Sequence, residues 1–337
     1  MSSSNPLVSI LAVSYNHSKW VEETLESIRL QTYDNIQLVI LDDCSTDNTV
    51  ALIQEWIDKH KVDCIFIAHK ENQGVCKTYN EGVKLCTGKY YSTISCDDAL
   101  FPEKTHEQVA FFEKQNENTA MIYSDAIIYD DETKSEKSSF IQHHRKDDLK
   151  PSGDIFEDLL SRNYIPAMSI LVRKNVFIDL GGFDETLIFE DYDFFLRLSQ
   201  KHEIVYFDKV LVKYRMHQFN FHKKLGQTKN YFKSKATMYL KFVPYSIIAQ
   251  QQLELLIAQM DNKLNHYNNH LDKKKTEIEL LNKHHHAVIL SWRYKYSSYL
   301  IRLLTLFSKK NISDKNHQKF LAVYKTTYLT EKSAENS

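Results

Sequence analysis

Long apolar runs are missing from this chain of 337 residues: no uninterrupted stretch approaches the roughly 20 residues that cross a bilayer, which excludes a membrane-spanning helix. An excess of one charge is missing as well. The 43 Lys and Arg stand against 44 Asp and Glu, a formal net charge of -1, so nothing global draws the chain to nucleic acid. Cysteine is sparse and odd in number. Cys44, Cys64, Cys76, Cys86 and Cys96 show no CxxC spacing, which fits neither a disulfide framework nor a zinc site and favours a reducing compartment. The opening Met1-Ser2-Ser3-Ser4-Asn5-Pro6 has no basic flank ahead of an apolar core, so a cytoplasmic placement is expected. No glycine-rich phosphate loop with a basic residue follows the first apolar run, where Ser14-Tyr15-Asn16-His17 stands instead. A nucleotidyltransferase on an α/β fold, the competing enzyme reading, would carry such a loop, and this stretch does not resemble it.

What is present reads as a globular chain, with 42% hydrophobic and 26% charged residues and length enough for one large domain and an appendage. Residues 7–13, 36–41 and 64–68 are short β-branched-rich runs, and amphipathic segments 19–31 and 50–60 lie between them. This βαβαβ alternation predicts a parallel sheet, in which ligands gather outside the carboxyl ends of the strands. Ser14-Tyr15-Asn16, Asp42-Asp43 and Asp97-Asp98 all fall at such ends. Two adjacent carboxylates repel one another and call for a cation or a polar ligand, although a pair that merely caps the next helix has the same sequence. Further along, residues 75–86 and 102–115 read as helices, 120–125 as a strand, and 130–150 as a polar, aperiodic insertion with a mobile tip. Residues 163–173 and 204–207 read as the last strands, with Gly181-Gly182-Phe183-Asp184 as a turn and a helix over 194–201.

Seven blocks, in order, carry a resemblance: residues 8–16, Asp42-Asp43-Cys44-Ser45-Thr46-Asp47, Asn72-Gln73-Gly74, Asp97-Asp98, Gly181-Gly182-Phe183-Asp184, Glu190-Asp191 and Tyr214-Arg215-Met216-His217. Over residues 6–218 the chain resembles inverting family 2 glycosyltransferases of the GT-A fold. The resemblance implies an α/β fold with a mostly parallel sheet and transfer of a sugar, hexosyl in type, from a nucleotide diphosphate donor such as a UDP-sugar. The acceptor would be a glycan or a lipid-linked molecule in surface polysaccharide synthesis. It further implies a divalent metal, Mn²⁺ or Mg²⁺, bridging the diphosphate. Asp98 would be its ligand, with His217 completing the site; Asp97 would meet ribose or sugar hydroxyls. Ser14, Tyr15, Asn72 and Gly74 would line the nucleotide, Asp43 or Asp42 would accept the uracil imide N–H, and Arg215 would neutralise the diphosphate. Asp191 would be the base that takes the acceptor proton, with Glu190 orienting it. Where many members carry an aspartate two residues before the metal ligand, Ser95 or Cys96 stands here.

Beyond residue 218 the composition shifts to Lys, Asn, Gln and Tyr. Within 219–286, Leu253, Ile257, Met260, Leu264, Tyr267, Leu271, Ile278 and Leu281 follow steps of four and three, broken by Lys274. This is the pattern of a coiled coil roughly 50 Å long or of one helix folded back. Residues 287–310 combine an apolar stripe around Trp292, Tyr296 and Leu303 with Arg293, Lys295, Arg302, Lys309 and Lys310. Such a basic amphipathic helix suits an anionic membrane surface, which would make the protein peripheral at the inner face of the cell membrane. Residues 311–337 form a polar tail. A scaffold whose helical part does the work is the competing reading, against which the intact Asp98 and Asp191 speak.

Overall fold

Strand β1 (Val8–Ser14) is buried at all seven positions, which is possible only for a strand covered on both faces. It pairs in parallel with β2 (Ile36–Asp42) on one side and β4 (Tyr90–Ser95) on the other, and β3 (Cys64–Ala68) extends β2 in the same sense. Helices α1 (Val21–Arg29), α2 (Thr49–His60) and α3 (Val75–Leu85) connect them. The register sets Ser14 beside Asp42 and Val13 beside Ser95, so three polar loops leave the sheet at one edge. That edge becomes the site.

The computed structural model describes residues 5–147, 149–220 and 228–272. After β4 come β5 (Ala99–Leu100), α4 (Lys104–Phe112), β6 (Thr119–Asp130), β7 (Ser135–Ser139), α5 (Phe140–Arg145) and α6 (Phe156–Ser161). They are followed by β8 (Leu171–Arg173), α7 (Lys174–Asp179), α8 (Asp191–Ser199), β9 (Glu203–Met216), α9 (Lys229–Phe242) and α10 (Ile247–Asp272). The sheet runs β3-β2-β1-β4-β8-β6-β9-β5, with β7 on β6. β8 enters antiparallel between β4 and β6, and the long β6–β9 pair is parallel again. The α/β fold with its mostly parallel sheet is the one expected, followed by helices.

Three local expectations differ. The insertion at 130–150 is not aperiodic: β7 and α5 form there because Asp125, buried at 3% exposure, accepts from Ser139 Oγ and from the Ile141 amide, fixing the turn between them. The strand expected over 163–173 shrinks to β8, because residues 167–169 wind into a 3₁₀ turn after Pro166. The strand expected at 204–207 instead runs to Met216, which carries Arg215 into the sheet.

Two compact units result, Met1–Lys235 and Ala236–Ser337, with α9 passing from one to the other. In the second, Ala249, Leu253 and Leu256 of α10 are buried while Ile247 and Leu255 face solvent. Leu256 lies outside the four-three series, so the buried stripe is wider than a coiled-coil seam. Residues 273–337, and with them the 287–310 segment, lie outside the described residues. Among the described residues no helix is long and apolar enough to cross a membrane.

One buried amine tests the packing of the first unit. Lys104 of α4 is 1% exposed, and its Nζ donates to Ser92 Oγ at 2.9 Å. Burial pushes it down to about 7. Above that value the unfolded chain binds the proton that the folded chain has released, so stability rises with pH until the unfolded lysine also titrates. Denaturant melts at pH about 7 and about 9 are expected to show a gain on the order of 2 kcal/mol that is lost in Lys104→Met. An equal gain in both proteins refutes the assignment.

Candidate active site

The loops after β1 and β2 are tied to each other before any ligand arrives. Asp42, fully buried, takes the Ser14 hydroxyl (2.6 Å) and the Ser45 hydroxyl (2.6 Å) on Oδ2 and the Ser45 amide (2.7 Å) on Oδ1. Three of its acceptor positions thus serve the fold. Asn16, with φ 59°, accepts the Thr46 amide at 2.8 Å and carries the first loop across the second. Tyr15 beside it is 47% exposed.

Asp43 faces the third loop. Its Oδ1 accepts from the Gln73 amide (2.7 Å) and lies 3.0 Å from His69 Nδ1, and its Oδ2 accepts from the Gly74 amide at 3.0 Å. Asn72 donates to the Asp43 carbonyl at 2.9 Å. Gly74 precedes α3 with φ 85°, a conformation that costs other residues, so Asp43 binds at the open start of a helix. Asp42 and Asp43 each keep one oxygen with a single donor, and Asp43 is the less deeply buried of the two.

The acidic pair after β4 divides into two environments. Asp98 is turned inward, its Oδ1 accepting the Arg215 amide at 2.7 Å. Burial first, and then the charge of Asp97, push its carboxyl well above the usual range. Asp97 is turned toward two imidazoles, with Oδ2 3.1 Å from His217 Nε2 and 3.7 Å from His17 Nε2. Burial works to raise this carboxyl too, but His17 and then His217 outweigh it and hold it well below the usual range. Its Oδ1 is buried with no hydrogen-bond partner among the described residues.

Arg215 is spoken for. Its Nε donates to the Asp97 carbonyl (2.9 Å), Nη1 to Asp131 (3.0 Å) and Nη2 to Glu23 (2.5 Å), all from a residue 4% exposed. A guanidinium so engaged braces the acidic loop through three of its five N–H donors. His217 is equally buried.

The second acidic pair opens α8. Asp191 Oδ1 accepts the Tyr192 amide (2.6 Å) and Oδ2 the Asn163 side-chain amide (3.2 Å). Burial raises the Asp191 carboxyl against these two donors. Burial, and then the Asp191 charge, push Glu190 up to about 8. The preceding turn is clipped to α3: Asn80 accepts the Phe183 amide (2.9 Å) and donates to the Phe183 carbonyl (3.0 Å). From α8, Arg197 donates to the carbonyls of Leu180 (2.9 Å) and Gly182 (2.7 Å), and its partner Asp193 is fully buried. Tyr79, one position before Asn80, has its phenol pushed far up by burial and then by the charges of Glu190, Cys96, Asp97 and Asp98. One ring on α3 thus lies in the field of both acidic pairs.

The residues predicted from sequence therefore fall into two groups, Ser14, Tyr15, Asp42, Asp43, Asn72, Gly74, Asp97, Asp98, Arg215 and His217 in one and Glu190 and Asp191 in the other. His17, Trp20, His69, Tyr79 and Asn163 join them unannounced. His17 and His69 had a signal: each is an imidazole just past the carboxyl end of a parallel strand.

A divalent cation fits the first group. The partnerless Oδ1 of Asp97 is an oxygen donor of the right charge, and His217 Nε2 lies beside the same carboxylate. The Phe219 amide donates to His217 Nδ1 at 3.1 Å, so ligation by Nε2 requires the ring proton to pass to Nδ1 and that bond to open. Among the described residues no group of three His, Cys, Asp or Glu is placed to hold a metal ion by itself, which would leave most of a coordination sphere to phosphate oxygens and water.

Sheet order, strand-end loops and paired carboxylates define a GT-A-type α/β transferase fold. The fold is that of S. aureus TarS 1-349 solved in complex with UDP-GlcNAc (TM-score 0.55, 17% identity, covering 75% of this chain and 71% of that one). It is also that of the mannosyltransferase PcManGT from Pyrobaculum calidifontis, solved with GDP-Man and Mn2+ (TM-score 0.55, 14% identity, 75% and 70%). Residues 9–180 match the glycosyl transferase family 2 model, and the chain belongs to that family. An uncharacterized glycosyltransferase of Rickettsia bellii (strain RML369-C) is 33% identical over 227 residues, 66% of this chain and 31% of that protein. The amylovoran biosynthesis glycosyltransferase AmsE of Erwinia amylovora is 27% identical over 241 residues, 69% of this chain and 84% of that one. The chain spans only 31% and 36% of the length of its Rickettsia bellii and Rickettsia felis relatives.

The clipped turn yields a direct test. A Cβ on Gly182, at φ 75°, would stand 2.8 Å from Asn80 Oδ1. Gly182→Ala is expected to lose about 1–3 kcal/mol in urea unfolding. Wild-type stability would show that the clip does not constrain the turn.

Proposed function

We propose that this chain transfers a sugar from a nucleotide diphosphate donor, a UDP-sugar, to a glycan or lipid-linked acceptor in surface polysaccharide synthesis, with inversion at the anomeric carbon and with Mn²⁺ or Mg²⁺. One observation carries the reading. Two acidic pairs differ in character: Asp97 lies against two imidazoles that hold its carboxyl low, and the carboxyls of Glu190 and Asp191 are raised by burial. A leaving diphosphate needs the first and an incoming hydroxyl needs the second. The nucleotide-sugar complexes of the TarS and PcManGT structures and the amylovoran role in the name of AmsE support donor and pathway class.

In this reading Asp43 Oδ2 accepts the imide N–H of the base, Tyr15 offers its exposed ring to the base, and Ser14, Asn72 and Gly74 shape the pocket. Asp97 and His217 would hold the cation, an exchange of roles with Asp98, whose oxygen already serves the Arg215 amide. The ion would offset the charge gathering on the departing diphosphate. Asp191 takes the acceptor proton while Asn163 steadies its Oδ2, and Glu190 orients the acceptor. Residues 1–218 would form the catalytic domain. In the 219–286 extension, 253–281 would serve self-association, and 287–310 would serve attachment to the inner face of the membrane, with 311–337 as a tail.

Two measurements check this. Asp191→Asn is expected to abolish transfer while UDP binding persists. Asn163→Ala removes a donor to the ionised Asp191, so the acid limb of kcat/KM should move up by as much as about one pH unit. Full transfer by Asp191→Asn, or an acid limb that stays put or falls, rules out Asp191 as the base. For the tail, liposome co-sedimentation of the full chain against a chain ending at Gln250 should lose binding to anionic vesicles; equal binding removes the attachment proposal.

A further inference from the structure

Asp97 and His217 meet at 3.1 Å, yet an imidazole on a turn has several rotamers and only one of them aims Nε2 at Asp97. The Phe219 amide holds Nδ1 at 3.1 Å and Asn220 Nδ2 lies 3.3 Å from Nε2, and the ring face meets a neighbour of a different kind. Trp20, 6% exposed, lies against the His217 imidazole with ring centroids 4.0 Å apart and planes inclined by 22°. It also meets the His17 imidazole edge-on, at 6.1 Å and 66°. One indole thus supports both imidazoles that flank Asp97.

The indole is itself anchored. Its Nε1–H donates to Asp131 Oδ2 at 3.2 Å, while Asp131 Oδ1 accepts from Arg215 Nη1 at 3.0 Å. Arg215 then returns to the acidic loop through the Asp97 carbonyl at 2.9 Å. Asp97, His217, Trp20, Asp131 and Arg215 therefore close a ring in which every member is held from two sides. A partner on the second ring nitrogen can orient a metal-binding histidine only in one tautomer. A stacked face orients it in both, because it uses neither nitrogen. That matters at His217, where ligation would shift the proton between the two nitrogens.

We propose that Trp20 and Asp131 are positioning residues for the divalent cation: Trp20 sets the plane of His217, and Asp131 sets Trp20. The inference rests on the reading of Asp97 and His217 as the protein's cation ligands. A bulky aromatic that merely filled the core would give the same burial, but it would have no bearing on metal affinity.

The test is Mn²⁺ titration of the full chain by electron paramagnetic resonance in excess UDP, with the thermal midpoint of each variant recorded without metal. Trp20→Leu removes both stack and N–H and is expected to weaken Mn²⁺ binding about tenfold, in the range of lost partners behind metal ligands. Trp20→Phe keeps a ring but loses the N–H, and Asp131→Asn loses the anchoring charge; each is expected to weaken binding about threefold. These two carry the test if Trp20→Leu does not fold. Should every folded variant bind Mn²⁺ within about twofold of wild type while His217→Ala binds it poorly, Trp20 is ordinary core and the inference falls alone. Should His217→Ala itself bind like wild type, the cation reading falls and takes this inference with it.

Discussion

Burying two neighbouring carboxylates at the end of one strand is the constraint on which this structure turns. Side by side in a low-dielectric setting they cannot be satisfied in the same way. The protein separates them by direction. Asp98 is turned into the sheet, where the Arg215 amide and the charge behind it receive one oxygen. Asp97 is turned outward to two imidazoles. Much of the surrounding framework follows from this division: β9 must run as far as Met216 to deliver Arg215, and Glu23 of α1 and Asp131 after β6 must be near enough to balance its guanidinium. A buried arginine with its donors matched is tolerable, whereas one left unmatched would cost several kcal/mol, on the order of 3–5.

The first half of the fold was legible because buried parallel strands are continuous apolar runs and the loops that follow them are abruptly polar. Residues 7–13 and 36–41 announce both the strands and the places where ligands gather. Legibility failed where side chains are assigned by partners far away in sequence. Asp42 and Asp43 are equivalent as letters; only Ser14, 28 residues before Asp42, and Gln73 and Gly74, about 30 residues after Asp43, give them different duties. Asp97 and Asp98 differ in the same way, through Arg215, His17 and His217. Trp20 looked like one apolar position of an amphipathic helix, and its stacking on a residue nearly 200 positions later has no local trace. The long β9, which carries Arg215 to Asp97 and Asp98 more than 100 residues away, was misjudged in extent for the same reason, whereas β7, α5 and β8 are shaped by nearer contacts.

The role of α3 is of another order. At its start the Asp43 carboxylate holds the Gly74 amide, and within it Asn80 holds the backbone of Phe183, in the segment that leads to Glu190. Tyr79 between these anchors feels both acidic pairs. The helix is therefore shared property of two regions that the sequence separates by more than 100 residues.

Gly74 and Asn80 are six residues apart on a single helix, a separation of about 9 Å at the usual rise per residue. Such a span behaves as a ruler. The separation between the Asp43 carboxylate and the turn at Phe183 is set through a rigid rod and not through a hinge, a length written into the chain.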